Sequence, residues 1–209
     1  MNPRGPQATI AGPMRARLLV AGLALAVLAL PRVAAAGGPE WDGRPLAYWI
    51  GLLREVPKDV RMVSADWRKA PWAVGKIGVT AIPALITTLD DSNPEVRLRA
   101  IRPMVAMGSA AAEAAPALTA RLKDADIKVR QWSAVALGTI GPSAAGALPA
   151  LVLSLKEPEP AVRQAAAAAL GNLASPDAIP PLEEAAEDAN PAVQRAAHLA
   201  LDRLRSAKP

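Results

Sequence analysis

The sequence predicts an all-α protein, a right-handed α-solenoid of stacked helix pairs with a cap helix in front of the array. Three observations predict it. A step of 33 residues superimposes Val96, Val129 and Val162, then Leu85, Leu118 and Leu151, then Pro83, Pro116 and Pro149. Within each step, apolar residues recur at i, i+3, i+4 and i+7, as in Ile82, Leu85, Ile86 and Leu89. The apolar content is mainly Ala, Leu, Val and Ile, with no Phe and one Tyr. Such small aliphatic side chains suit closely packed helices better than a β-sandwich, which favours aromatic and β-branched residues. Many coincidences at one period signal a repeat array. Two short helices cannot bury both of their apolar stripes alone, so the units must stack.

Residues 1–36 read as a secretory signal peptide. Arg15 and Arg17 precede the uncharged run LLVAGLALAVLAL, Leu18 to Leu30, and Ala34-Ala35-Ala36 fits cleavage before Gly37. The run is shorter than the roughly 20 residues a membrane helix needs. The expectation is an exported protein, periplasmic or extracellular, with no stable membrane span after cleavage. An uncleaved anchor is the alternative, and Met14 is a second candidate start. Zero cysteines exclude disulfides, thiol catalysis and thiolate metal sites. Residues 1–36 hold four of the 24 basic residues and no acid, which leaves 20 basic against 19 acidic residues. So nearly neutral a chain is a poor match for nucleic acid, which wants a dense basic face.

Residues 40–65 form an N-terminal cap helix and linker. In WDGRPLAYWIGLLREV, Leu46, Trp49, Ile50 and Leu53 follow the helical period and would cover the apolar face of the first repeat. A docking helix for another protein is the sharper alternative. Trp67 and Trp72, in the degenerate first repeat, are expected to seal it against this cap.

The array occupies residues 66–206, with helix pairs near 66–89, 90–122, 123–155 and 156–186 and a terminal helix near 190–205. The first helix of each unit starts at Pro94, Ile127, Pro160 or Pro191, after Asn93, Asp126, Glu159 or Asn190. Asn and Asp are strong N-caps, and proline is tolerated at the first helical position because its missing N–H would be unpaired there anyway. A glycine-containing turn such as GSAAAEAAP or GPSAAGALP leads to the second helix. Pro103 should bend its helix. The last helix, with Asp202, Arg203 and Arg205, reads as a polar end cap.

The units share one motif: an acid, a cap residue, Val-Arg, small residues, ALG-x-IG, then ALPAL. This resembles HEAT repeats, specifically the short HEAT-like type seen in phycobilisome lyase subunits and their relatives. The tetratricopeptide and ankyrin signatures are missing. The resemblance implies an armadillo-like helical fold and says little of activity, because those relatives include lyases, enzyme regulators and scaffolds. It also implies that Asp and Arg form an inter-repeat ladder. Arg97, Arg130 and Arg163 each stand six residues after an acid, namely Asp91, Asp124 and Glu157. The competing reading is an arginine row that binds phosphates or an acidic peptide.

No catalytic constellation emerges. His198 is the only histidine, aligns with Ile101, Ala134 and Ala167 near a packing face, and cannot alone make a histidine metal site. The His-Glu pairs of the repeat-built deoxyhypusine hydroxylase are absent. No Ser/His/Asp set, nucleophile elbow or phosphate loop is present. No cofactor is expected. The leading expectation is therefore a non-enzymatic scaffold holding a protein or peptide, with Trp132, Arg99, Arg121, Thr88 and Ser154 as its contact residues. Trp132 aligns with Arg99 and Ala165, a position read as partly exposed, and Thr88, Arg121 and Ser154 as outward positions of second helices. The alternatives are a lyase-like or enzyme-regulatory subunit, suggested by the resemblance alone, and nucleic-acid binding, as in HEAT-like DNA glycosylases.

Overall fold

A computed structural model describes residues 38–57, 59 and 63–206; the proposed signal segment lies outside these. Several of the first helices begin where a capping side chain meets the chain. Helix α4 (Pro94–Met107) follows Asn93, whose Oδ1 accepts from Glu95 N at 2.9 Å. Helix α6 (Ile127–Ile140) follows Asp126, which accepts from Val129 N at 3.1 Å. Helix α10 (Pro191–Ser206) follows Asn190, which accepts from Ala192 N at 2.9 Å. Helix α8 (Pro160–Asn172) follows Glu159, whose longer side chain makes no cap bond. With α2 (Ala65–Ile77), these first helices stack in sequence, each on the next. α4 runs through the buried Pro103 to Met107.

The second helices are α3 (Ile82–Thr88), α5 (Ala115–Arg121), α7 (Leu148–Ser154) and α9 (Ile179–Ala185). Each packs against the first helix that follows it. Leu85, Leu118, Leu151 and Leu182 are each fully buried, so the repeated leucines are core. The connections expected as turns are 3-10 segments at Gly78–Ala81, Gly108–Ala114 and Gly141–Ala147. Each opens on a glycine with positive φ, 81°, 58° and 72°. This reverses the chain at a conformation that costs an L-residue about 1–2 kcal/mol. The position 33 residues beyond Gly141 is Ala174, held at φ 56°. Ala174→Gly should therefore raise the unfolding free energy by about 1 kcal/mol in a denaturant titration.

Gly138 and Gly171 have a different task. A Cβ on Gly138 would lie 2.9 Å from Ala169 Cα, and one on Gly171 2.7 Å from Ala200 Cα. These glycines set how closely α6 approaches α8, and α8 approaches α10.

The first element among the described residues is a hairpin of two-residue strands, β1 (Glu40–Trp41) and β2 (Arg44–Pro45), closed by Asp42 and Gly43 at φ 54° and 66°. Sequence reasoning passed over it, although Asp-Gly is a strong signal for such a turn. Helix α1 (Leu46–Arg54) follows and buries Trp49, Ile50, Leu52 and Leu53. Trp49 Nε1 donates to Trp41 O at 3.2 Å, tying the hairpin to the helix. Two stretches, Ala65–Thr88 and Ile127–Ser154, are long and apolar enough to cross a bilayer by composition. Each turns at a positive-φ glycine and supplies side chains to the common core.

Candidate interaction surface

The arginine series forms a continuous set of contacts between units. Arg97 Nη1 donates to Asp91 O at 2.8 Å and Ser92 O at 3.1 Å, while its Nη2 reaches Asp124 Oδ1 in the next unit at 2.6 Å. Arg130 repeats this with Asp124 O and Ala125 O at 2.8 and 3.2 Å. Its Nε lies 3.2 Å from Glu157 Oε2 but is not aligned on it, which makes this rung the weaker. Arg163 bonds Glu157 O and Pro158 O, both at 2.8 Å, and grips Asp188 with both oxygens at 2.7 and 2.9 Å. The acid six residues upstream therefore contributes its backbone carbonyl to its own arginine. The carboxylate serves the arginine of the preceding unit. In α10 the position belongs to Gln194, which keeps the carbonyl contact, to Asp188 O at 2.7 Å, and carries no charge.

Electrostatics follow the geometry. The hydrogen bond from Arg163 holds the Asp188 carboxyl below its ordinary value, and the same bond raises the Arg163 pKa. This rung is therefore intact above the ordinary carboxylate range and weakens only as pH falls through the depressed pKa. Asp124, whose side chain is 3% exposed, also accepts from Asp126 N at 3.0 Å. The guanidinium groups of the row are thus occupied by carbonyls and carboxylates of the fold itself.

Three of the expected contact residues are interior. Arg99 is 2% exposed. Its guanidinium donates to Glu55 O at 2.9 Å and Trp67 O at 2.8 Å and stacks on the Trp67 ring at 3.8 Å. Burial lowers its pKa to about 10, still charged at neutral pH. It clamps the cap and its linker onto α4. Trp67 also donates from Nε1 to Glu55 O at 2.7 Å, so it does seal the first repeat. Thr88 and Ser154 are buried as well. Their hydroxyls bond the carbonyls four residues back, Ala84 O at 2.8 Å and Ala150 O at 3.1 Å. That local bond satisfies the hydroxyl and lets it sit on the core stripe. The outward register lies one residue earlier, at Thr87, Ala120 and Leu153.

The other expectations divide. Arg121 is partly exposed and, at the end of α5, pairs with Asp90 in the turn after α3 at 3.1 Å. Trp132 is half-buried and packs on the core. His198 is exposed, whereas the equivalent Ala167 of α8 is buried. Trp72 is 55% exposed and meets Trp41 edge-on at 4.8 Å, so it seals the cap with only part of its ring. Among the described residues, no group of acids and histidine is arranged to hold a metal ion.

What the second-helix layer does offer is a groove of about 410 Å³ between α7 and α9. Val152, Leu155, Pro180 and Pro181 line it with Asp177 and Glu184. Leu153 stands on the same helix at 63% exposure. The sequence signal was present in Leu153, but a one-residue error in register turned it sideways.

The family profile described as HEAT repeats matches residues 82–158 and 148–209. The chain belongs to the HEAT-repeat family. Solved structures agree on this fold. One is the complex of CpcE and CpcF of phycocyanin lyase from Nostoc sp. PCC7120, with TM-score 0.63 and 24% identity over 74% of this chain and 96% of that one. A designed armadillo repeat protein in complex with the peptide (KR)4 aligns with TM-score 0.57 and 24% identity over 76% and 81% of the two chains. The Kap95:Nup1 complex aligns with TM-score 0.59 and 14% identity, over 79% of this HEAT-repeat chain and 24% of that one. A search among curated proteins finds no match.

Proposed function

We propose that this HEAT-repeat protein is an exported, non-enzymatic scaffold that holds a protein or peptide on its second-helix layer. The observation that carries this is the division of labour among side chains. The repeated arginines and acids bind one another and the backbone between units. Apolar side chains are left open at Leu153 and in the groove beside it. Exposed apolar surface rimmed by polar groups is the signature of an interaction site. Neighbours of the same fold hold peptides or proteins, including (KR)4 on the designed armadillo protein and the CpcE–CpcF pairing. Export rests on the order of Arg15 and Arg17, the run Leu18–Leu30 and Ala34 to Ala36.

Leu153→Arg should keep the helical signal in circular dichroism and weaken retention of a captured partner by about tenfold or more, as loss of a buried apolar anchor does. Undiminished retention would move the contact away from this layer.

A further inference from the structure

Charge in the folded part is sorted by side, although its total is nearly neutral. The outward side of the first-helix layer exposes Arg68, Lys76, Arg102, Lys128, Arg195 and Arg203. Exposed acids on these helices are Glu95 and Asp202. The α9 region instead exposes Asp177, Glu183, Glu184 and Glu187. A near-zero sum conceals this separation, so the whole-chain charge misleads about anionic partners.

Both ends of the basic side repeat one pattern. In α2, Arg68, Trp72 and Lys76 follow one another at i, i+4 and i+8, and in α10 Arg195, Leu199 and Arg203 do the same. That spacing puts each trio in one stripe along its helix. Trp72 is 55% and Leu199 60% exposed, among the most open large apolar side chains of the fold. Lys76 Nζ lies 5.3 Å from the Trp72 ring, and Trp41 meets that ring edge-on at 4.8 Å. Leu199 lines a groove together with Ala168, Ala192, Ala196, Arg195 and Arg203.

We propose that this side docks on an anionic lipid surface through the two base–apolar–base stripes. A tryptophan or leucine flanked by cations is what a bilayer interface takes. The apolar group enters at headgroup depth, and the long basic side chains reach phosphates while their stems cover apolar surface. The export expected from Arg15, Arg17 and the run Leu18–Leu30 would bring the chain to an envelope, where anionic lipid surfaces are at hand. Each base near an anionic leaflet adds about 1 kcal/mol, so several acting together suffice for reversible attachment. This docking is separate from the partner contact assigned to Leu153.

The test uses residues 38–209, which form one compact unit whose core lies between Trp49 and Leu204. The protein is floated with vesicles of phosphatidylcholine alone or mixed with phosphatidylglycerol. It should rise with the mixed vesicles only, and less as salt increases. The double change Arg195→Glu with Arg203→Glu should weaken this by about tenfold or more. Trp72→Ala should remove the blue shift of tryptophan fluorescence on vesicle addition. Glu184→Lys and Leu153→Arg should leave vesicle binding undiminished, which separates this inference from the scaffold reading. Equal flotation with neutral vesicles, indifference to charge reversal, or binding of double-stranded DNA without vesicle binding would each overturn the proposal.

Discussion

Gly171→Val should lower the unfolding free energy by about 3 kcal/mol or more, the upper range for overpacking a tight helix contact. A Cβ at this position meets Ala200 Cβ at 2.6 Å and Ala200 Cα at 2.7 Å. The obstacle includes backbone, so no rotamer change relieves it, and α10 must move off α8. Gly51→Ala supplies the opposite sign in the same protein. That glycine lies on the exposed side of α1 with nothing within 4 Å of its would-be Cβ. Alanine there should stabilise by about 0.5–1 kcal/mol through helix propensity. Denaturant midpoints of the two variants decide the matter. A Gly171→Val protein as stable as the wild type would show that the helices of this array tolerate a wider spacing.

Asp124→Ala is expected to cost about 3–5 kcal/mol, as removing one member of a buried ion pair does. The change removes the carboxylate bonded to Arg97, which is 9% exposed, directs Nη2 at Asp124 from 2.6 Å and is left with the carbonyls of Asp91 and Ser92. It also releases the bond that Asp126 N makes to the same carboxylate, at the entrance to α6. Glu183→Ala is the internal comparison. Its ion pair with Arg205 is as short, 2.6 Å, but both side chains are about half exposed, at 54% and 55%. Solvent screening should keep that loss under about 1 kcal/mol. Equal effects from the two substitutions would mean that burial does not govern the ladder.

These contrasts bear on function because they separate masonry from surface. Arg97 and Arg102 belong to one helix and carry the same charge. The first is consumed by Asp91, Ser92 and Asp124, while the second is exposed to solvent. A partner, whether peptide or lipid, meets only residues of the second kind. The same reasoning takes the buried Arg99, Thr88 and Ser154 out of the expected contact set and leaves Trp132 and Arg121 in it, beside the exposed Leu153, Trp72 and Leu199.

Much of the architecture was legible before any coordinates. Pro94, Pro160 and Pro191 each stand at the first position of a helix, and Asn93 and Asn190 before two of them are short polar caps, while Glu159 before Pro160 makes no cap bond. The period of the array was readable because local signals, caps and apolar spacing, repeat with it. The hairpin at Asp42-Gly43 was equally readable and was passed over.

What required tertiary structure was the direction of individual side chains. In helices of seven residues such as α3 and α7, the apolar stripe leaves its edge ambiguous by one position. Only the contact with the following helix put Thr88 and Ser154 inside and Leu153 outside. Arg99 looked variable and therefore exposed. Its burial depends on Glu55 and Trp67, carbonyl partners distant in sequence that no periodicity encodes. The sequence alone thus determined the repeating helices, because capping and amphipathicity act within a few residues. The stacking of those helices decided which charges are spent on the fold and which face a partner, because burial is a property of neighbours far along the chain.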